Sequence, residues 1–383
     1  MKKILAVTAI RSEYFLAKSL FRAIHSHPGL SLELVVSGAH LSPLHGETVH
    51  AVETDGFLIV ARIESLLHSN RPAARIKGAA LQLQVLAHVV DERRPDWLLA
   101  VGDREDPMLL ALCGAYLHIP VAHYGAGDRV MYNVDDTVRH AISRLSHLML
   151  TTNEDARQRL IRTGEQSWRV HNVGHSGLDR VRETPEMDRA ALSAAVGMDL
   201  SKGPFVVVIQ HPLSSEVSEA GAQMKETLEA VCLLGLPALV IYPNSDAGSQ
   251  DMIRVIEGYT GRSNIRVFPT LPDTTFVNTL RHAALLIGNS SLGLLEAPYL
   301  QLPVINVGRR QTMRMCAENV AFVSHHREEI VRQAQLVLYD DVTRNRMHSC
   351  SNPFGDGHAG ERVADLLAET PCDDRLLNKE LEY

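Results

Sequence analysis

Polar side chains gather where strand-length apolar runs of this chain end, and their types suit proton transfer and anion binding. Carboxylates, imidazoles, arginines, amides and hydroxyls occur there, in six clusters at residues 11–14, 102–104, 123–128, 210–212, 242–244 and 288–291. One such cluster is weak evidence, because Asp, Asn, Ser and Gly are also the usual residues of turns and helix N-caps. Six clusters favour a ligand site, since loops that leave the carboxyl ends of parallel strands form the ligand crevice of such sheets.

The segment GNSSLGLLEAP (288–298) combines features of an anion site. It predicts a strand ending in Gly-Asn-Ser-Ser that opens a helix, where free backbone N–H groups, two hydroxyls and the helix dipole would suit a diphosphate. The alternative is that Ser290 or Ser291 caps the helix. Glu296, on the first turns of that helix, could hydrogen-bond a ribose diol or lie on a solvated face.

Carboxylates beside cations in the N-terminal half suit general acid–base catalysis. Asp103 directly follows a predicted strand and precedes Arg104, so its carboxylate could act as a base or acid, or could cap the next helix. A predicted helix further along carries two carboxylates and two cations within about two turns. These residues are Asp135, Asp136, Arg139 and His140. The alternative to an acid–base site is a salt-bridged helix face.

Alternating strand-length and helix-period segments predict the elements that position these clusters, in the manner of parallel sheets covered on both faces. The first series predicts strands at 2–9, 32–38, 97–102, 120–125 and 147–152 and helices at 12–26, 74–91 and 106–117. A second series, from Pro204, predicts five strands in FVVVIQH, ALVIYPN, IRVFPT, LLIGNS and PVINVG. The predicted fold class is therefore α/β, with two Rossmann-like doubly wound domains. We expect domains at 1–178 and 179–351 and a tail, 352–383, whose helix packs back across both.

Composition and missing motifs exclude several function classes. With 38 Lys and Arg against 45 Asp and Glu, the net charge is −7, and no basic patch indicates nucleic-acid binding. Five scattered cysteines form no CxxC pair, and the 19 histidines show no metal-ligand spacing. GxGxxG, GxxxxGK[ST] and GxSxG motifs are absent. No apolar run reaches the roughly 18–20 residues of a membrane span, so we expect a soluble, cytoplasmic protein with no membrane partner.

Taken together, the motifs resemble the hydrolysing UDP-N-acetylglucosamine 2-epimerase family over nearly the whole chain. Their order and spacing carry the resemblance more than any single motif does. They include TAIRSEY (8–14), SGAHLSPLHGET (37–48), VGDRED (101–106), DDTVRHAISRLSHL (135–148), VGHSGLD (173–179), QHP (210–212), YPNSDAG (242–248), GNSSLGLLEAP (288–298), PVINVGRRQ (303–311) and NPFGDG (352–357).

The resemblance implies a GT-B-like fold whose two domains face a cleft, with the nucleotide held mostly by the C-terminal one. It implies an enzyme that converts UDP-N-acetylglucosamine to free N-acetylmannosamine and UDP, for sialic-type (nonulosonic) acid synthesis. The C2 proton leaves with anti departure of UDP to give a 2-acetamidoglucal, and water then adds. The family uses no metal or other cofactor, its substrate partner is a nucleotide sugar, and its members are homo-oligomers, so we expect a dimer or tetramer.

The resemblance also implies roles for single residues. Arg11 and His211 would contact the diphosphate, and Asn244 would lie near the nucleotide or sugar. Phosphate and ribose would be held by Gly288, Asn289, Ser290, Ser291 and Glu296. The acid–base candidates near the sugar would be Asp103, Asp128 and Asp135, oriented or neutralised by Arg139 and His140. Which carboxylate removes the C2 proton stays open.

Departures from the family pattern lie mostly on the sugar side. Where the family commonly reads HIHGGE and then Thr and Gly, this chain has HYGAGD (123–128), so Asp128 replaces a Glu, and Tyr132 follows. Leu292 replaces the third serine of GNSSSG. Such changes leave open the same reaction on a UDP- or GDP-linked 2,4-diacetamido-2,4,6-trideoxyhexose, to which Tyr132 and Leu292 would add apolar contacts. A GT-B glycosyltransferase and a non-catalytic nucleotide-sugar-binding protein are further alternatives.

Overall fold

The computed structural model describes residues 1–67, 69, 72–129, 134–244 and 246–382. Across those ranges, none of the helices combines the length and apolar character needed to cross a bilayer. The chain forms two compact units, one of Met1–Arg180 with Phe354–Tyr383 and one of Val181–Pro353.

The first unit contains a seven-stranded parallel sheet in the order β3-β2-β1-β4-β5-β6-β7. Its strands are β1 (Lys2–Thr8), β2 (Leu30–Ser37), β3 (Leu58–Ile63), β4 (Trp97–Val101), β5 (Val121–Tyr124), β6 (Leu148–Thr151) and β7 (Val170–Asn172). Its helices are α1 (Arg11–Ser26), α2 (Val49–Thr54), α3 (Pro72–Arg93), α4 (Glu105–Leu117), α5 (Val134–Leu145) and α6 (Glu154–Arg162), and α7 (Ser176–Glu183) spans the division between the units. Strand order reverses between β1 and β4, so the loops after these two strands border the switch point.

The second unit contains a six-stranded parallel sheet in the order β10-β9-β8-β11-β12-β13. Its strands are β8 (Val206–Ile209), β9 (Ala238–Ile241), β10 (Ile265–Phe268), β11 (Leu285–Gly288), β12 (Val304–Val307) and β13 (Val320–Val323). Its helices are α8 (Arg189–Val196), α9 (Ala220–Leu234), α10 (Ser249–Glu257), α11 (Asp273–His282), α12 (Leu292–Leu295), α13 (Arg327–Tyr339) and α14 (Asp341–His348). Here the order reverses between β8 and β11.

Alternating residues of the central strands bury both faces of the first sheet. Ile4 and Trp97 point to one apolar cluster, with α1, and Leu5 and Leu98 to the opposite cluster, with α4; all four are fully buried. Burial of such side chains stabilises a fold by about 1.5–3 kcal/mol each. The sheet is therefore a rigid support for the loops at its carboxyl edge.

The C-terminal segment packs on the first unit through α15 (Ala359–Glu369), which lies against α1, and ends after α16 (Asp374–Leu377). The Asp179 carboxylate accepts hydrogen bonds from the Ala359 and Gly360 amides at 3.0 and 2.6 Å, and so satisfies the start of α15.

The α/β class with two doubly wound parallel sheets is confirmed, and the predicted strands agree within three residues. Three strands went unpredicted, β3, β7 and β13, and each lies at a sheet edge. Edge strands lack the continuous apolar run of buried parallel strands: Leu58 of β3 is 55% exposed. The predicted helix after Ser291 was too long. Helix α12 has four residues, and Glu296 is its C-cap.

Candidate functional site

Loops after β1 and β4 meet at the switch point of the first sheet. Arg11 begins α1 after β1, and Gly102 and Asp103 follow β4. The Gly102 carbonyl accepts a hydrogen bond from His123 Nε2 at 2.8 Å, and His123 on β5 is fully buried. Because a carbonyl oxygen only accepts, Nε2 carries the ring proton. His123 thus fixes the loop that presents Asp103.

Asp103 and Arg139 form a hydrogen-bonded ion pair, with Arg139 Nη2 as donor to Asp103 Oδ2. Arg139 Nη1 donates to the Gly125 carbonyl at 2.6 Å, and the residue is only 6% exposed. Within the described part of the chain, its Nε has no hydrogen-bond partner. Helix α5 thus places the nearly buried guanidinium of Arg139 against Asp103 in the loop after β4.

The pKa of Asp103 lies above its ordinary value, chiefly because burial disfavours the carboxylate. The Arg139 charge opposes this rise, while the neighbouring carboxylates Asp135 and Asp128 add to it. A carboxyl with a raised pKa and a charged partner is suited to take up and release a proton during catalysis.

The other acid–base candidates have different surroundings. Asp135, on the first turn of α5, has Oδ1 3.6 Å from Arg75 Nη2. The Asp128 carboxylate accepts hydrogen bonds from the Thr152 hydroxyl at 2.9 Å and the Asn153 amide at 3.0 Å. Asp128 Oδ2 also lies 3.9 Å from Arg139 Nη1. These contacts engage both oxygens of Asp128 and tie its loop to the start of α6.

His140 does not share the surroundings of Arg139, although the two are adjacent on α5. Its ring is 41% exposed, and its Nε2 lies 3.8 Å from Asp136 Oδ2. His140 and Asp136 therefore lie next to each other one turn apart on α5.

Glu13 was not singled out from the sequence, yet it lies at the same switch point. Its Oε1 lies 3.6 Å from Arg104 Nε and 4.0 Å from the position of a Cβ added to Gly102. Burial raises the pKa of Glu13 to about 8; the Arg104 charge opposes this, and the carboxylates of Asp106 and Asp103 reinforce it. The motif TAIRSEY contains the residue but gives no sign that the fold buries it.

In the second unit, His211 and Asn289 bring the loops after β8 and β11 together. The Asn289 side chain accepts from the His211 amide at 2.7 Å and donates to the His211 carbonyl at 2.9 Å. The backbone amide of Asn244 donates a hydrogen bond to His211 Nδ1 at 3.0 Å. An Nδ1 that accepts a hydrogen bond leaves the proton on Nε2, so a neutral His211 keeps one N–H donor for a ligand. Burial lowers the pKa of His211 to about 4, and the nearby Arg310 charge adds to the effect.

Arg310 and Gln311 join this cluster from the loop after β12. Their side chains donate to the Asn289 carbonyl at 3.4 and 2.9 Å. Arg310 Nη2 also lies 3.7 Å from the Asp246 carboxylate, and its side chain is 24% exposed. Both residues lie in the family motif PVINVGRRQ, and from the sequence neither was assigned a role. The rule that ligand residues follow strand ends would have found them.

The loop from Gly288 to Ser291 continues directly from β11. Gly288 has φ +138°, and a Cβ there would lie 2.0 Å from the Ile209 carbonyl oxygen, so only glycine fits between the strands. Ser291 is the N-cap of α12, yet its side chain makes no capping hydrogen bond. Because α12 is so short, its dipole contributes less to an anion site than the sequence suggested. Glu296 is 5% exposed.

Two residues that departed from the family pattern have separate outcomes. Leu292 is 8% exposed and packs in an apolar cluster of the second unit, and the ligand contact expected from its side chain stays a prediction. Tyr132 lies outside the described residues. Within the ranges that the structure describes, no group of three or more His, Cys, Asp or Glu residues could hold a metal ion.

Comparison with known proteins adds three findings. The sequence profile of the family described as UDP-N-acetylglucosamine 2-epimerase matches residues 22–368. The chain is 32% identical to the UDP-N,N'-diacetylbacillosamine 2-epimerase (hydrolyzing) of Legionella pneumophila over 99% of both chains, and 30% identical to the UDP-N-acetylglucosamine 2-epimerase of Neisseria meningitidis over 86% of both. The crystal structure of the Neisseria meningitidis UDP-GlcNAc 2-epimerase bound to UDP-GlcNAc has a TM-score of 0.78 at 16% identity and covers 96% of this chain and 100% of its own. This likeness confirms the predicted GT-B-like fold.

Proposed function

Because the chain belongs to the UDP-N-acetylglucosamine 2-epimerase family, we propose that it is a hydrolysing 2-epimerase of UDP-N,N'-diacetylbacillosamine. This sugar is a 2,4-diacetamido-2,4,6-trideoxyhexose, the class that the sequence analysis held as its alternative. The similarity to the Legionella protein, which spans both chains almost completely, favours it over UDP-N-acetylglucosamine. The products are UDP and the free sugar inverted at C2.

The proposed reaction has two proton transfers of opposite sense. A base removes the C2 proton, a C1–C2 double bond forms, and the C1–O bond breaks so that its electron pair leaves on the diphosphate. Water then adds: its oxygen bonds to C1, and C2 receives a proton on the opposite face. One water is consumed for each UDP released. This chemistry requires a group that exchanges protons and a clamp for the leaving diphosphate.

We assign proton exchange to Asp103, and the Asp103–Arg139 pair is the observation that carries the proposal. The raised pKa of Asp103 makes it a stronger base than an ordinary aspartate, and Arg139 keeps its ionised form accessible. Asp135 is our second candidate for the opposite transfer, because its carboxylate is near enough for its charge to raise the pKa of Asp103. Asp128, with both oxygens engaged, would orient the loop.

Diphosphate binding is assigned to the cluster around His211 in the second unit. A neutral His211 offers Nε2–H, and Arg310 supplies positive charge next to it. The hydroxyls of Ser290 and Ser291 are further donors for phosphate oxygens. Asn244 would border the nucleotide or sugar, and Glu296 would accept hydrogen bonds from the ribose. These donors would stabilise the negative charge that develops as UDP leaves.

A substrate panel tests the proposal. Purified protein is given UDP-N,N'-diacetylbacillosamine, its GDP analogue and UDP-N-acetylglucosamine, and kcat/KM is measured from release of free nucleotide. We expect the first compound to exceed UDP-N-acetylglucosamine by at least about 10-fold, since hydrogen bonds to a second acetamido group discriminate strongly. Equal or better turnover of UDP-N-acetylglucosamine would reject the substrate assignment. Nucleotide release only with an added acceptor would instead indicate a glycosyltransferase.

A further inference from the structure

Lys379, in the C-terminal segment, is a largely buried lysine that lies at the end of α5. Its Nζ donates to the carbonyls of Ser143, Arg144 and Ser146 at 3.0, 3.2 and 2.9 Å. It also forms an ion pair with Glu165 Oε2 at 2.8 Å, and the two side chains are 11% and 1% exposed. The last carbonyls of a helix lack partners within the helix and attract a cation. Lys379 therefore closes the C-terminal end of α5.

The segment that carries Lys379 is fixed independently. The buried Arg169 guanidinium donates to the carbonyls of Leu376 at 2.7 Å, Arg375 at 2.8 Å and Asn378 at 3.2 Å. The Glu382 amide donates to the Gly164 carbonyl at 2.8 Å on the other side of Lys379. Since both flanks are anchored, the ammonium of Lys379 has a defined position against α5.

A continuous path of hydrogen bonds leads from Lys379 to the Asp103 loop. The Ser143 carbonyl binds Lys379, and the Ser143 hydroxyl lies 3.0 Å from His123 Nδ1. With its proton on Nε2, His123 donates to the Gly102 carbonyl, and its Nδ1 can accept from the Ser143 hydroxyl, which also lies 3.0 Å from the Arg139 carbonyl as a second acceptor. Gly102 immediately precedes Asp103. Arg139, one helical turn before Ser143, holds Asp103 directly.

We propose that Lys379, supported by Glu165, is a positioning residue for the reaction: it fixes α5 so that Arg139 and His123 hold Asp103 in place. The inference rests on the proposed function, because it assigns Asp103 the proton transfer. Its structural part, the coupling of Lys379 to the Asp103 loop, is independent of substrate. The contact between Lys379 and Ser143 therefore lets the C-terminal segment help to position the proposed catalytic residue Asp103.

Lys2 provides a matched control within the same unit. Its Nζ donates to the carbonyls of Leu367, Ala368 and Thr370 at 3.1, 2.8 and 2.6 Å, and so caps the C-terminal end of α15. The chemistry is that of Lys379, a lysine ammonium on three helix-end carbonyls, but the helix carries none of the proposed site residues. Lys2→Met and Lys379→Met thus each remove an ammonium from three helix-end carbonyls; Lys379→Met also removes the ion pair with Glu165, and only Lys379 lies on the path to Asp103.

The test combines hydrogen–deuterium exchange with kinetics on the full-length chain. For Lys379→Met we expect faster exchange both in α5 and in the peptide containing Gly102 and Asp103. We also expect kcat lower by roughly 10- to 100-fold with KM changed less than about threefold, since small misplacements of catalytic groups are costly. A misplaced Arg139 stabilises the Asp103 carboxylate less, so the pKa of Asp103 rises. The acidic limb of the pH profile therefore moves to higher pH. Lys379→Arg restores most of kcat.

Lys2→Met should change exchange only in α15 and leave kcat unaltered. Faster exchange in α5 without any change around Asp103, or an equal fall of kcat in Lys2→Met, would overturn the inference. Should Lys379→Met not fold, Glu165→Gln, which removes the partner of the ammonium, is measured in the same way. Absence of turnover in the unsubstituted protein would refute the proposed function. Hydrogen–deuterium exchange needs no substrate, so it would still show whether Lys379 is coupled to the Asp103 loop.

Discussion

Arg139 Nη2 donates a hydrogen bond to Asp103 Oδ2 although the two residues are 36 positions apart in the chain. The same guanidinium binds the Gly125 carbonyl through Nη1, so one side chain joins the loops after β4 and β5 to α5. A planar guanidinium can do this because its donors point in fixed, diverging directions. Both the charge and the position of the proposed base therefore depend on Arg139.

Asp103→Asn should abolish proton transfer while leaving the nucleotide site intact. The carboxamide keeps the shape of the side chain but cannot accept the C2 proton, so we expect turnover to fall by at least about 10²-fold. Binding of UDP, measured by calorimetry, should be unchanged. Asp128→Asn is the matched comparison, and we expect it to lose less than about 10-fold, because its oxygens serve Thr152 and Asn153. A larger loss of turnover for Asp128→Asn than for Asp103→Asn would assign the proton transfer to Asp128 instead of Asp103.

Arg139→Lys should shift the pH dependence of catalysis. A lysine ammonium cannot bind Asp103 and the Gly125 carbonyl in the forked geometry of Arg139, so the carboxylate loses stabilisation and its pKa, already raised by burial, rises further. A base must be ionised to act, and the acidic limb of kcat/KM against pH should therefore move to higher pH. An unmoved acidic limb, at any level of activity, would mean that Asp103 does not set it.

His211 should remain neutral across the physiological range. Its Nδ1 accepts a hydrogen bond from the backbone amide of Asn244, and burial lowers the pKa of His211 to about 4. Nitrogen-15 NMR of the imidazole should show the Nε2–H tautomer with no titration between about pH 5.5 and 8. His88, which is 80% exposed, is the internal reference for a solvated ring. A protonation midpoint of His211 near 6.5 would show that it binds phosphate as a cation instead.

Glu13 should make the folded protein sensitive to alkaline pH. Its pKa is raised to about 8 in the folded state from the ordinary 4.5, so the folded state holds a proton that the unfolded state releases. This contribution to stability is present at low pH and is lost as pH rises from 4.5 to about 8. Glu13→Gln cannot ionise, and its Tm relative to the original protein should increase from pH 5 to pH 9 by about 4 °C or more.

The control for this measurement is Glu92→Gln on α3, whose carboxylate is 71% exposed. Its Tm difference from the original protein should stay constant over the same range. A constant difference for Glu13→Gln as well would show that Glu13 is ionised in the folded state at neutral pH.

The sequence predicted those parts of the fold and site that depend on local pattern. Buried parallel strands read as continuous apolar runs, so the central strands were found within three residues, and the polar residues after them, such as Asp103 and His211, follow by topology. Asp103 and Arg139 were both candidates, although their direct pairing required the structure. The short edge strands escaped because half-exposed segments lack that run.

What the sequence could not predict depends on burial and on distant contacts. Glu13 and an ordinary helix-surface glutamate look alike until the fold removes water from the carboxyl. Lys379 reaches Ser143 across 236 positions, and no local pattern marks that contact. The shortness of α12 was missed because LGLLEAP has helical composition, whereas the helix ends before Pro298.

The most direct test of the account follows the C2 hydrogen itself. The protein is incubated with UDP-N,N'-diacetylbacillosamine in deuterium oxide, and the released sugar is analysed by NMR and mass spectrometry. The account predicts one free sugar for each UDP, inverted at C2 and carrying one deuterium there. A released sugar that keeps its original hydrogen at C2, with UDP formed at the same rate, would contradict proton removal and with it the role given to Asp103.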